Sequence, residues 1–419
     1  MHTTHYLSLQ QAAAASMADW SQLPKDLLQL ISQRLNSEVY LIRFRSVCSS
    51  WRQSSVPNCH HSHLPSKLPQ LPTDEIKDVC YLSKQSIFLI KPPTNLHQQE
   101  TPLRPWLIRI DTYINGKPYL WHPFDLHQKY PLQFAHDLID FNQLSILQLR
   151  NLFYIHHIKP RKSYGFYEKA VVATCEVGQP LAILTYDYFD VPKFLRCEDN
   201  SWTSIPTMSR FLSGDICLFK GRPCVADING RTLMIGPEDS SVRMLANPVF
   251  GGNIKFLVES ECESLLLVDC HGIGNRVADK DVRFDVFRLD EKEKKWIKLT
   301  TLGDMVLFLG ADCSFSALAL DLRVPRGNCL IYRRNFDSQE PDVIQAEMRI
   351  FYLDQGRVSF LSDYPDYMKL FWPPPKWIPK RYDKGKEGED VRHNETGSSP
   401  VKWRVKCNPN LRKRSKFFC

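Results

Sequence analysis

Between about residues 75 and 375 one pattern recurs: apolar runs of four to eight residues, each bounded by Gly, Pro, Asn or Asp. The runs are IFLI, WLIRI, YLWH, AVVATCEV, LAILTY, KFLVE, SLLLVD, FDVFRL, MVLFLG, NCLIY and MRIFYL. Runs this short between turn residues are strand spacing, because a helix needs a longer stretch with a 3.6-residue period. Some 300 residues of short strands are too many for a single sandwich and require a closed, repeating architecture.

The repetition is visible in the residues. Gly214-Asp215-Ile216-Cys217-Leu218-Phe219-Lys220-Gly221 and Gly303-Asp304-Met305-Val306-Leu307-Phe308-Leu309-Gly310 share GDxxLFxG, 89 residues apart. Upstream of each lies an apolar run, a turn and a Trp: FLRCEDNSW to Trp202 and VFRLDEKEKKW to Trp296. The offset is twice a propeller blade of roughly 40–50 residues. The segment between, with SLLLVD, then holds an intervening blade. Dividing the β region by about 45 residues predicts a β-propeller of about six or seven blades over 75–379.

Residues 19–56 read differently. Pro24 stands where a first helical turn accepts it, and Asp26 lies near the positive end of the helix dipole. Leu27, Leu30, Ile31 and Leu35 then recur at three- and four-residue steps as one apolar stripe, and Asn36-Ser37 ends the helix. A second, longer helical run follows from Glu38, carrying Val39, Leu41, Ile42, Phe44, Val47, Cys48 and Trp51 with Arg43, Arg45 and Arg52 interleaved. A unit this small cannot bury so many apolar side chains alone and implies a docking surface. Prolines crowd residues 57–74, which read as a linker. Cys59, His60, His61 and His63 there match no zinc-ligand spacing. Residues 1–18 lack caps and period and are expected to be a disordered leader.

Composition narrows the functional classes. The net charge is +8, but of 54 Lys/Arg and 46 Asp/Glu, 13 and 5 fall within Lys376–Cys419. The preceding residues therefore carry 41 of each, so the basicity belongs to a tail and no nucleic-acid surface is indicated for the body. Thirteen cysteines without CxxC pairs, and no secretory signal or membrane-spanning run, read as reduced cysteines of a nuclear or cytoplasmic protein. The sequon at Asn394 then carries no meaning. Residues 380–419 are expected to be a basic disordered tail. Its run Arg412, Lys413, Arg414, Lys416 reads either as a nuclear import signal or as a solvated tail.

LPKDLLQLISQRL…RFRSVCSSWR resembles the F-box, whose pattern is LP-x-x-L-x-x-x-I closed by VC-x-x-W-R. Leu23, Pro24, Leu27, Ile31, Leu35, Val47, Cys48, Trp51 and Arg52 fall on that pattern, while Val39-Tyr40 departs slightly from the usual acidic-plus-apolar step. The resemblance implies binding to a Skp-type linker protein, and through it a cullin, by these residues together with Leu30. The segment DVFRLDEKEKKWIKLTTLGDMVLFLGADCSFSALA…GNCLIY and the closing FWPPPKWIP resemble plant F-box proteins with a KIB-type β-propeller. The family implies a mainly β chain with a small α module, acting as the substrate-recognition adaptor of a ubiquitin ligase.

Nothing in the residues points to bond-breaking chemistry. HExxH, GxSxG, Walker A and GxGxxG are absent. His136-Asp137, His156-His157 and Cys270-His271 are adjacent pairs, and neighbours on a strand point to opposite faces. LGDMVLFLG reads as a strand after a Gly-Asp turn, since no Lys-Ser/Thr follows. No cofactor or metal is expected. The alternatives to the adaptor are an F-box scaffold or transcriptional partner outside the ligase, and a propeller enzyme. The client leaves no signature in the sequence.

Overall fold

A computed structural model describes residues 20–35, 38–55, 67–69, 80–92, 103–112, 118–124, 144–157, 168–174, 180–185, 191–205, 208, 214–260, 263–272, 279–310, 312–334, 344–371, 375 and 377. They fall into two compact units, a helical box and a β-rich unit. The expected leader, nearly all of the linker and its Cys59 and His cluster, and the tail with its basic run lie outside the described residues, as do His136-Asp137 and the side chains of Val39, Ile42, His156 and His157.

In the box, a single turn at Trp20–Gln22 precedes α1 (Lys25–Arg34), α2 (Glu38–Ser46) and α3 (Ser49–Ser54). Pro24 opens α1, its carbonyl accepting from Leu28 N at 3.1 Å. The longer second helix expected from sequence is two helices. Cys48 is fully extended (φ −160°, ψ 177°), so the chain breaks after Val47 and restarts at Ser49-Ser50. Serine favours helix starts over interiors because its hydroxyl competes with the backbone ladder.

Among the described residues the β unit has 21 strands, and each of the eleven apolar runs falls wholly or mostly on one. β1 (Cys80–Lys91), β2 (Trp106–Thr112), β3 (Pro118–Trp121) and β4 (Ser145–His157) form the first blade, ordered β3-β2-β1-β4. β5 (Glu168–Thr174), β6 (Pro180–Thr185), β7 (Lys193–Arg196) and β8 (Thr203–Ser204) form the second in simple succession. The two share one eight-stranded sheet, because β4 pairs with β5 at Phe153↔Ala170, Tyr154↔Lys169 and Ile155↔Glu168. β9 (Asp215–Phe219), β10 (Arg222–Ala226), β11 (Thr232–Ile235) and β12 (Val242–Ala246) make the third blade. β13 (Ile254–Glu259), β14 (Leu265–His271), β15 (Arg283–Asp290) and β16 (Lys295–Leu299) make the fourth.

The fifth blade is irregular. β17 (Met305–Leu309) turns back into β18 (Ser314–Leu318), and α4 (Ala319–Leu322) carries the chain across to β19 (Cys329–Arg333), which pairs parallel to β17. β20 (Met348–Tyr352) and β21 (Arg357–Phe360) complete it.

The sets meet in succession through one strand each: β4 pairs with β5, β5 packs on β9, β9 on β13, β13 on β18, and β18 on β4. Apolar clusters fill the gaps between neighbouring blades. Phe256 and Phe284 of the fourth pack with Leu307 and Phe351 of the fifth, and Ile87 and Leu107 of the first with Phe308 and Phe315 of the fifth. Five such sets lie among the described residues; the first is the longest, spanning residues 80–157.

The two members of the 89-residue repeat each open a blade, two blades apart, but β9 is the inner edge strand of the third whereas β17 lies second, behind β18. Trp202 and Trp296 sit in the hairpins closing the second and fourth blades, and the two Gly-Asp pairs lead into β9 and β17. Gly303 has φ +60°, the left-handed conformation a tight turn asks of glycine.

Candidate partner-binding site

The box already has its own core. Leu28, Leu41 and Phe44 are buried, and Trp51 packs on Phe44 with the rings tilted and their centroids 4.6 Å apart. Trp51 Nε1 donates to the carbonyl of Trp20 at 2.9 Å, tying the first turn to α3. Arg52 Nε reaches the carbonyl of Arg45 at 3.2 Å, fastening α3 to α2. Buried Ser32 is satisfied by the carbonyl of Gln29 at 2.8 Å.

The stripe read from sequence is not the face that builds this core. Leu28 and Ser32 occupy the inward row of α1, one position round from Leu27 and Ile31. Leu27, Leu30, Ile31 and, beyond α2, Val47 are 48%, 53%, 40% and 54% exposed. Leu23, Leu35, Cys48 and Trp51 are half-buried, while Pro24 and Arg52 are exposed. The predicted residues thus divide into a supporting group, with Trp51 within the box, and a solvent-facing apolar group. Trp20 and Tyr40 join the exposed set. The apolar stripe of α1 includes neither, since Trp20 precedes that helix and Tyr40 lies on α2.

Charge complements this surface. Residues 20–56 carry Lys25, Arg34, Arg43, Arg45 and Arg52 against Asp26 and Glu38. A basic box with an exposed aliphatic stripe suits a partner that is apolar at the centre and acidic at the rim.

The β unit supplies a second kind of site, a rigid frame for loops. Its inner strands are joined by ion pairs that are wholly or partly withdrawn from solvent. Lys169 on β5 lies 2.5 Å from Asp215 on β9, whose other oxygen accepts from Leu257 N on β13 at 2.9 Å. Arg150 on β4 meets Glu259 on β13 at 3.1 Å.

The first and fifth blades are joined by Arg109, which donates to Asp312 and to the hydroxyl of Tyr154, both at 2.6 Å, and to Gln85. Burial pulls the Arg109 pKa down, but Asp312 and Tyr154 outweigh it and raise it, so the guanidinium stays charged. The C-terminal stretch straps this joint: Leu107 N donates to Leu370 O at 2.7 Å, and Trp106 Nε1 and Trp377 Nε1 donate to the carbonyls of Phe371 and Arg104. Cys270 is buried while His271 turns out, as adjacent strand residues must.

A helical box with its own small core and an unspent apolar stripe, followed by a propeller, is the plan of an F-box protein. Family comparison agrees on both parts: an F-box domain model matches residues 20–59 and a KIB1-4 beta-propeller model matches residues 66–352. F-box protein SKIP23 of Arabidopsis thaliana is 34% identical over 400 residues, covering 86% of this chain and 96% of that protein. F-box protein At2g17036 of the same plant is 31% identical over 400 residues, covering 86% and 95%. The chain belongs to the F-box proteins that carry a KIB1-4 β-propeller.

Proposed function

We propose that this protein is the substrate-recognition subunit of a Skp–cullin–F-box ubiquitin ligase. The box holds the Skp-type linker, which brings the cullin, and the propeller holds a client protein. The protein itself breaks no bond; it fixes the distance between client and ligase. It acts in the nucleus or cytoplasm, where that machinery resides, and Arg412, Lys413, Arg414 and Lys416 form an import signal. The carrying observation is the stripe Leu27, Leu30, Ile31 and Val47, left in water although the box beneath it is already packed. An apolar row on a finished core is an interface residue set, since the fold itself gains nothing from it.

The test is co-purification of the full chain with a Skp-type linker. Leu27→Asp with Ile31→Asp abolishes the complex and leaves the circular dichroism of the β unit unchanged. Undiminished binding by this variant sinks the proposal. Linker binding without cullin recruitment, and without change in any client's abundance, favours a scaffold outside the ligase.

A further inference from the structure

We propose that the loop between β12 and β13, residues 247–253, is the client-docking point of the propeller, and that it takes an acidic segment bearing an apolar side chain. The proposal rests on the adaptor reading for the word client; the surface itself stands on its own geometry.

Phe250 is 76% exposed. Its loop is nevertheless pinned on both sides. Asn247 N donates to Lys294 O at 3.2 Å, Gly252 N to Asp269 Oδ2 at 3.0 Å, and Asn253 N to Cys270 O at 2.8 Å. Lys255 Nζ donates to Gly252 O at 3.1 Å. Val249 sits so close to Gly230 that a Cβ there would lie 2.9 Å from its backbone. An aromatic ring held out on a fixed loop meets a partner without the ordering cost that a free loop incurs.

The loop rests on a charged row across the fourth blade. Lys255 and Asp269, 2.5 Å apart and both buried, neutralise one another. His271 Nε2 lies 3.4 Å from Asp269 and 3.5 Å from Asp285. Asp285 is shared by two cations, Lys298 at 2.8 Å and Arg283 at 3.7 Å, which are 60% and 63% exposed. The row therefore ends in surplus positive charge in solvent. Gly251, next to Phe250, joins anchor to row: a side chain there would come within 3.0 Å of His271 Cε1. An apolar anchor beside a row with one net positive charge at its exposed end selects an apolar side chain flanked by carboxylates and disfavours a basic segment.

The experiment is a random-peptide display selection on the purified full chain, with enriched peptides measured by fluorescence anisotropy. Enriched peptides carry an apolar residue flanked by Asp or Glu. Phe250→Ala weakens them by about tenfold or more. Arg283→Glu with Lys298→Glu weakens them further, and both variants co-purify with the Skp-type linker as the wild type does. No enrichment, enrichment of basic peptides, or affinities unmoved by both variants overturns the proposal. Loss of the linker from the wild-type chain with these peptides still bound sinks the adaptor reading and leaves the docking surface standing.

Discussion

Arg109 on β2 places Nη2 2.6 Å from Oδ2 of Asp312, which leads into β18, and both side chains are buried. The pair spans the joint where the first blade meets the last. Removing one partner strands the other charge in a dry core, at a cost of about 3–5 kcal/mol. Asp312→Ala is therefore expected to lower the denaturation midpoint of the β unit sharply. Arg109→Met with Asp312→Leu loses much less, because two apolar groups replace two charges. Urea titrations of the single and double variants give the comparison.

Asp215 is a node for three blades, through Lys169 and Leu257 N. Both substitutions break the ion pair and strand one of its charges; Asp215→Ala in addition orphans the backbone N–H groups of Leu257 and Ile216, which Lys169→Met leaves bonded. The aspartate substitution is expected to destabilise more, by about 1–3 kcal/mol for each orphaned amide. The same urea titrations measure it.

His122 is buried against Phe371, and its Nδ1 accepts from Phe124 N at 3.2 Å. Burial and the charge of Arg333 pull its pKa down from 6.5 to about 3. The folded state thus resists a proton that the unfolded chain accepts. Its stability contribution is full above pH 6.5 and falls as pH drops from there toward 3, about 2 kcal/mol by pH 5. Thermal melts at pH 7.5 and 5 should show a smaller acid loss for His122→Phe than for the wild type.

Leu28 and Leu30 are two residues apart on α1 and have opposite duties. Leu28→Ala opens a cavity in the box and costs about 2–5 kcal/mol. Leu30→Ala leaves the box folded and weakens only the linker complex. Circular dichroism of the box and pull-down of the linker separate the two effects.

Cys80, Cys217, Cys224, Cys270, Cys313 and Cys329 are buried, whereas Cys48 and Cys197 are half-exposed. Burial pushes the Cys329 thiol up to about 12 and raises that of Cys313 well above its usual range. The six buried thiols are expected to resist iodoacetamide at neutral pH until the chain is denatured, by peptide mass spectrometry.

Strands with uninterrupted apolar runs could be read from the sequence, because both their faces are buried between blades. β4 could not. Gln148, Arg150 and Asn151 interrupt its run: Arg150 reaches Glu259 on β13, and Asn151 accepts from Gln148 and from Ser86 on β1. The two Gly-Asp motifs looked alike, yet Asp215 is a buried node and Asp304 is exposed. A motif fixes a turn, but its surroundings decide what the carboxylate does. In α1 the pattern located the stripe correctly and said nothing of which row faced inward. Leu28 differs from Leu27 by 100° of helix rotation, and only the packing of α1 against the rest of the box decides between them.

The strapping of the first blade by residues 370–371 and 377 fixes an order of events during synthesis. Each blade is a contiguous stretch, so its ladder can form as it leaves the ribosome. The apolar face holding Ile87 and Leu107 waits for Phe308, Phe315 and Phe371, about 150 residues or more after β4 is complete. Throughout that interval the nascent chain carries an open hydrophobic flank, and a stop codon before residue 308 would release a chain that lacks all three of the aromatic residues that cover it.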